Sequence, residues 1–287
     1  MSVATEGLEE IQIKVTRETK QASLINQVLT YIEESLKKLT PEEKQDVVMI
    51  DLSAYKLDNV VVRETIHDNY NAEIIGEHMF IKYDSKKKEK IHRRLANSAE
   101  VHNQNWDVDA NGMCTDNNGN EFLPDVGVWF QMPTQAQQTR PIAEQCPLPD
   151  VWVEVFYNRD PDRSRALTNI AFVQQQNLGI EFIGIALPYS TNTFQQNPNP
   201  GIATTPANPL ANQNARPFIA PYIIHWDMNN VPVYYRINWN EHLVLRCGWV
   251  LEFNIVLNVL AIFLLEVLQG MVSSTAEVMQ NYNYQSL

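Results

Sequence analysis

The spacing of apolar residues predicts a helix near the start of the chain. Over residues 22–39 the apolar side chains recur at intervals of three and four, which places them on one face of an amphipathic helix. Residues 47–52 then form a short apolar run, as in a strand. We therefore expect residues 1–69 to form an N-terminal helical extension ahead of the main fold.

The central part of the chain alternates between strand-like and helix-like segments. In chain order we predict a strand over 72–81, a charged helix within 84–106, strands over 125–130 and 151–157, a helix over about 163–176, and a strand over 180–187. Strands joined through a crossover helix indicate an α/β fold, with a mixed central sheet flanked by helices. We assign this domain to residues 70–257.

The last third of the chain begins with a polar segment. Residues 189–217 are rich in Asn, Pro, Gln and Thr without an apolar period, which indicates a flexible loop within the domain. Further strands are expected after it, over 222–226, 231–237 and 242–253. Residues 258–287 are predicted to form an apolar helix and a tail.

One apolar stretch, residues 247–265, has to be compared with a membrane span. Its only charge is Glu252, but the uncharged part from residue 253 to 265 is shorter than the roughly 20 residues that a spanning helix needs. A buried strand that leads into a buried helix is the favoured interpretation. Membrane attachment through this segment is kept as a minor alternative.

Composition narrows the function classes and the compartment. The net charge of −12 argues against tight non-specific binding of nucleic acid, because neutralised phosphates supply most of that affinity. Cys114, Cys146 and Cys247 lack zinc-ligand spacing, which predicts free thiols in a reducing compartment. The first ten residues do not have the pattern of a secretory signal, so we expect an intracellular protein, cytoplasmic or nuclear.

A dense basic run lies in the predicted charged helix. It consists of Lys86, Lys87, Lys88, Lys90, Arg93 and Arg94. Such a run can contact a phosphate backbone. A solvated helix face is the more common explanation, and the sequence alone favours it.

Two predicted strands carry an acidic residue among apolar ones. Asp125 opens one strand and Glu154 lies inside the next. Because strand side chains alternate between faces, Glu154 should share a face with Trp152, and Asp125 with Trp129. Buried carboxylates are costly unless they are paired or bind a metal, so these two are candidate ligands for one Mg²⁺ or Mn²⁺ ion. Carboxylates that cap loops at the strand ends are the alternative.

Several short motifs follow one another in this region. They are residues 73–77 (EIIGE), His92 in a helix, residues 124–126 (PDV), residues 149–155 (PDVWVEV) and residues 179–185 (GIEFIGI). In order and spacing they resemble the Uma-type restriction endonucleases, which belong to the PD-(D/E)XK superfamily. The resemblance covers roughly residues 70–188 and implies a restriction-endonuclease-like fold.

This resemblance implies a metal-dependent DNA endonuclease. Asp125 and Glu154 would match the two acidic metal ligands, and Glu73 would be a third acid. Mg²⁺ or Mn²⁺ is the implied cofactor, which in such sites polarises the phosphate and activates a water. DNA is the implied substrate, and a homodimer is left open.

The chain departs from the implied pattern at the lysine. Phe156 stands two residues after Glu154, where the superfamily motif has lysine, and no lysine occurs after Lys90. Arg165 is the candidate to stabilise a phosphate in its place, although arginine cannot act as a base. Two hypotheses therefore remain: an active endonuclease, and a catalytically inactive interaction protein that keeps the nuclease scaffold.

Overall fold

The computed structural model describes residues 3–41, 47–55, 57–159, 161–176, 179–188 and 221–262, with side chains from Glu18 onward. The predicted loop over 189–217 lies outside these residues, as does most of the predicted C-terminal helix and tail. Residues 254–262 are helical. Within the described ranges, each helix is either too short or too polar to act as a transbilayer segment.

Helices and strands alternate along the chain. The helices are α1 (Val3–Lys38), α2 (Val60–Tyr70), α3 (Lys86–His102), α4 (Gln135–Thr139) and α5 (Asp162–Gln174). The strands are β1 (Val47–Asp51), β2 (Ala72–Ile75), β3 (His78–Lys82), β4 (Asp107–Asp109), β5 (Cys114–Thr115), β6 (Glu121–Phe122), β7 (Val126–Trp129), β8 (Val151–Tyr157), β9 (Glu181–Leu187), β10 (Tyr222–Trp226), β11 (Pro232–Arg236), β12 (His242–Val244) and β13 (Val250–Glu252).

The chain forms two compact units, and each is assembled from separate stretches of sequence. The first unit comprises Met1–Tyr83, Met113–Leu123 and Pro133–Leu148. The second unit comprises Asp84–Gly112, Pro124–Met132 and Pro149–Leu287. The domain boundaries expected at residues 69 and 257 stay a prediction.

The second unit contains a six-stranded mixed sheet. Its strand order is β11-β10-β9-β8-β7-β4, in which β8 and β9 are parallel and the other neighbours are antiparallel. Helix α5 connects the two parallel strands, as a parallel pair requires. The predicted α/β fold, with a mixed sheet flanked by helices, is confirmed.

Strand β8 shows the predicted alternation of side chains. Val151, Val153 and Val155 belong to the main core cluster, together with apolar residues of α3 such as Ile91 and Leu95. The intervening residues of β8 are buried as well, so the strand is covered on both faces. A strand buried on both sides is expected in the middle of an α/β sheet.

The predicted strand over residues 242–253 is two strands in the structure. β12 and β13 pair antiparallel, and the Leu245 N–H donates to the carbonyl of Trp249 at 2.9 Å. The chain reverses at Gly248, whose φ of +87° is readily adopted only by glycine. The apolar pattern continues through this turn, which explains why it predicted one uninterrupted strand.

The first unit contains a three-stranded antiparallel sheet in the order β1-β3-β2. Its core cluster includes Val28 and Ile32 of α1 and Val62 and Ile66 of α2. The N-cap of α2 is Asn59, whose side chain accepts a hydrogen bond from the Val61 N–H at 3.0 Å. The amphipathic N-terminal helix was thus expected, whereas its partner helix α2 was not.

Candidate metal centre

The candidate site of the second unit begins at the N-terminus of α3. Ser85 is the N-cap of this helix, and its hydroxyl accepts a hydrogen bond from the Lys88 N–H at 3.3 Å. Lys88 and His92 lie one helical turn apart and are both buried on the face that carries Ile91 and Leu95. The helix therefore directs an ammonium and an imidazole toward the sheet.

Asp84, His92 and Asp125 form a group that could hold a metal ion. One ligand atom from each lies within 4.8 Å of the other two. His92 Nδ1 is 4.0 Å from Asp84 Oδ2, and His92 Nε2 is 3.5 Å from Asp125 Oδ2. His92 and Asp125 are each only 1% exposed.

Lys88 lies beside this group and is itself buried. Its Nζ is 2.7 Å from Asp84 Oδ1 and 3.3 Å from Asp162 Oδ1. Burial acts to lower the pKa of Lys88, but the charges of Asp125, Asp162 and Asp84 outweigh it and raise the pKa above its ordinary value. Lys88 is therefore a fixed positive charge within the cluster.

Asp162 ties the cluster to the end of β8. It is the first residue of α5, where the helix dipole favours a carboxylate. Its Oδ2 accepts a hydrogen bond from the Tyr157 N–H at 2.7 Å, and the same carboxylate faces Lys88. Elements far apart in sequence are thus joined by one buried aspartate.

The ligand types of the cluster suit a divalent cation. Asp84 and Asp125 each offer a carboxylate oxygen and His92 offers an imidazole nitrogen, and these atoms lie within 4.8 Å of one another. Buried carboxylates are costly unless they are paired or bind a metal. Two carboxylates and an imidazole suit Mn²⁺, whereas Mg²⁺ prefers oxygen ligands throughout. The residues present therefore fit a divalent metal.

Of the two acids predicted from the strands, Glu154 lies on β8 and Asp125 lies one residue before the neighbouring strand β7. The β7–β8 register pairs Val126 with Val153, so one step further along places Asp125 opposite Glu154. Asp125 Oδ2 accepts the Val155 N–H at 2.6 Å, while Glu154 Oε1 accepts the Trp152 indole N–H at 2.9 Å. Glu154 is buried, but it is not one of the three grouped ligands. An ion shared by Asp125 and Glu154 stays a prediction.

The other two predicted site residues lie elsewhere. Glu73 is on β2 of the first unit, where its buried carboxylate accepts the Leu123 N–H at 3.0 Å and lies 3.4 Å from Lys82 Nζ. Arg165 is on α5 and is partly exposed, and its backbone N–H donates to Pro161. Their participation in a catalytic site also stays a prediction.

Three residues of the cluster, Asp84, Lys88 and His92, were missed from the sequence. His92 was considered only as part of the family resemblance, and the basic run was assigned to a solvated helix face. Lys88 is in fact buried, at 5% exposure. The available signal was the spacing of four residues between successive members, which places such side chains on one side of a helix.

Comparisons with known proteins add little to this geometry. No family model matches the sequence, and no curated protein does. Among solved structures, the crystal structure of "a putative nuclease belonging to DUF820" from Anabaena variabilis aligns with a TM-score of 0.44 and 13% sequence identity. The alignment covers 66% of this chain and 90% of that one. Such a low score does not establish the family, so the function is argued from the site.

Proposed function

We propose that this protein is a metal-dependent nuclease that hydrolyses phosphodiester bonds of DNA. The observation that carries the proposal is the group of Asp84, His92 and Asp125, of which the last two are buried, with Lys88 beside it. Glu154 is the other acid implied by the resemblance to PD-(D/E)XK nucleases. Mn²⁺ or Mg²⁺ is the proposed cofactor.

Each side chain has a distinct part in this proposal. A divalent ion bound there would supply Lewis acidity and lower the pKa of a bound water. The Val155 N–H holds the Asp125 carboxylate in place at 2.6 Å. The ammonium of Lys88 offers a positive charge that can stabilise negative charge developing on a phosphate. Glu154 and Arg165 are proposed to assist, as the resemblance implies.

A second candidate function is an inactive interaction protein on the same scaffold. Two observations favour it: the grouped ligands His92 and Asp125 are almost completely buried, and Lys88 already pairs with carboxylates of the cluster. In that case the ammonium takes over the neutralising role of a metal ion. Phe156, two residues after Glu154, is likewise fully buried in the position of the superfamily lysine.

Metal titration combined with a cleavage assay separates the two candidates. Mn²⁺ and Mg²⁺ are titrated into the full chain by calorimetry, and nicking of supercoiled plasmid DNA is followed with each ion. Asp125→Asn should weaken metal binding at least ~10-fold, since even outer-shell partners of metal sites contribute that much. Asp150→Asn is the matched control, because the Asp150 carboxylate is exposed and accepts the Phe130 N–H.

The outcomes are distinct. Metal binding and nicking that are both lost in Asp125→Asn support the nuclease. Binding without nicking supports the inactive scaffold. Wild-type protein that binds neither ion would rule out the metal centre.

A further inference from the structure

Positive charge is concentrated on α3 against the charge of the whole chain. Six basic residues lie in this helix, between Lys86 and Arg94, with two acidic ones, Glu89 and Glu100, which gives a net charge of +4. Sixteen basic and thirty-two acidic residues remain elsewhere, a net charge of −16. Helix α3 is therefore strongly basic although the net charge of the whole chain is negative.

The charged residues of α3 divide between two faces. Lys88 and His92 face the sheet with Ile91 and Leu95. Residues 90, 93, 94 and 97 point away from it, because each position rotates by about 100° along a helix of 3.6 residues per turn. The candidate metal centre and this outer face are thus separated by the thickness of one helix, about 10 Å.

The outer face of α3 borders an open groove of about 560 Å³. Its polar lining includes Lys90, Arg93, Arg94 and Asn97 of α3, with Asn254 and Asn258 from the helical residues 254–262. Guanidinium, ammonium and amide N–H groups are the donors that contact phosphate oxygens. One carboxylate lies close by, since Asn254 Nδ2 donates to Glu252 at 2.9 Å.

We propose that this groove binds the sugar–phosphate backbone of a nucleic acid. From Lys90 to Asn97 the helix rises about 10 Å, which spans about three phosphate steps along one strand of a duplex. An open, cationic surface with several donors along one helix suits a polymer of regularly spaced anions. The choice of nucleic acid over other polyanions rests on the proposed nuclease function, but the groove does not depend on the metal centre.

The test measures binding without metal, so that it is independent of catalysis. Affinity of the full chain for a short fluorescent DNA duplex is measured in EDTA at several salt concentrations. Three neutralised phosphates predict a slope of about −2.7 in log Kobs against log salt, or roughly 40-fold weaker binding between about 50 and 200 mM. Arg93→Gln with Arg94→Gln should flatten the slope to about −0.9.

Arg236→Gln is the matched control, because Arg236 is exposed on β11 and does not line the groove. It should leave affinity and slope unchanged. Circular dichroism shows whether each variant is folded. If the double variant does not fold, Lys90→Gln replaces it, and this single change should reduce the magnitude of the slope by about 0.9. An unchanged slope in the groove variants would overturn the proposal, as would equal affinity for polyglutamate. If the wild-type protein binds the DNA duplex in EDTA but does not nick plasmid DNA with Mn²⁺ or Mg²⁺, only the proposed nuclease function is refuted.

Discussion

Replacing Lys88 by methionine tests whether the buried cluster is held together by charge. Methionine approximates the stem of lysine as far as Cε but lacks the ammonium, which lies 2.7 Å from Asp84 and 3.3 Å from Asp162. The carboxylates then remain buried without this counter-charge. Removal of one partner from a buried ion pair costs about 3–5 kcal/mol, so we expect Lys88→Met to lower the free energy of unfolding by about that amount at neutral pH.

Urea denaturation followed by circular dichroism measures this loss. Lys86→Met is the control, because Lys86 is exposed in the first turn of the same helix, and a surface change of this kind should stay within about 0.5 kcal/mol. Metal linkage adds a second readout. An ion at 100 times its Kd stabilises by about 2.7 kcal/mol, and Mn²⁺ should stabilise Lys88→Met more than wild type because no ammonium opposes it.

The reasoning fails if Lys88→Met is as stable as Lys86→Met. It also fails in part if Mn²⁺ stabilises both proteins equally, since Lys88 would then not oppose the ion. A large loss that Mn²⁺ partly restores is the expected result.

Three further changes test the sheet of the second unit. Gly127→Ala should cost about 1–3 kcal/mol, because its Cβ would lie 2.6 Å from a ring carbon of Trp129. Gly184→Ala, where the nearest atom is 3.2 Å away, should cost less, and thermal unfolding that ranks the two in the opposite order contradicts the packing. Burial acts to raise the pKa of Glu181, but the hydrogen bond with His225, together with other contacts, lowers it below its ordinary 4.5. The resulting stabilisation is present at neutral pH and lost as pH falls through the folded-state pKa, so Glu181→Gln should be less stable by about 1.5–3 kcal/mol at pH 7 and approach wild type as pH falls below that pKa. A constant difference across pH in urea titrations would contradict this.

Strands β7 and β8 could be predicted from the sequence because their valines alternate with other residues, and β9 because it is a short, nearly continuous apolar run. The valines of β8 alternate with larger residues, and period two assigned them correctly to the core. The same period does not predict which face the Asp125 side chain occupies, because Asp125 lies one residue before β7 begins. Its partner His92 had to be found in the structure.

The cluster around Lys88 could be predicted only in part, because the four-residue spacing of Asp84, Lys88 and His92 is local but their contacts with distant acids are not. A run of three lysines in a charged helix is typical of a solvated surface, and only helix–sheet packing shows that the third one is buried. Its carboxylate partners Asp125 and Asp162 are 37 and 74 residues further along the chain. The sequence therefore predicted Asp125 as a candidate ligand, but it did not predict that α3 contributes Lys88 and His92 to the same site.

The interleaving of the two units constrains how this protein can be dissected. The chain leaves the first unit at Tyr83 and returns to it twice, for Met113–Leu123 and Pro133–Leu148. In that unit Met113, Leu123 and Ile142 pack together, so both returning segments contribute to one small core. A fragment that starts at residue 84 would carry these segments without Glu73 and Lys82, which hydrogen-bond the backbone of Leu123. Neither unit is therefore an excisable module, and autonomous folding of either would require rejoining its segments by circular permutation or by short artificial linkers.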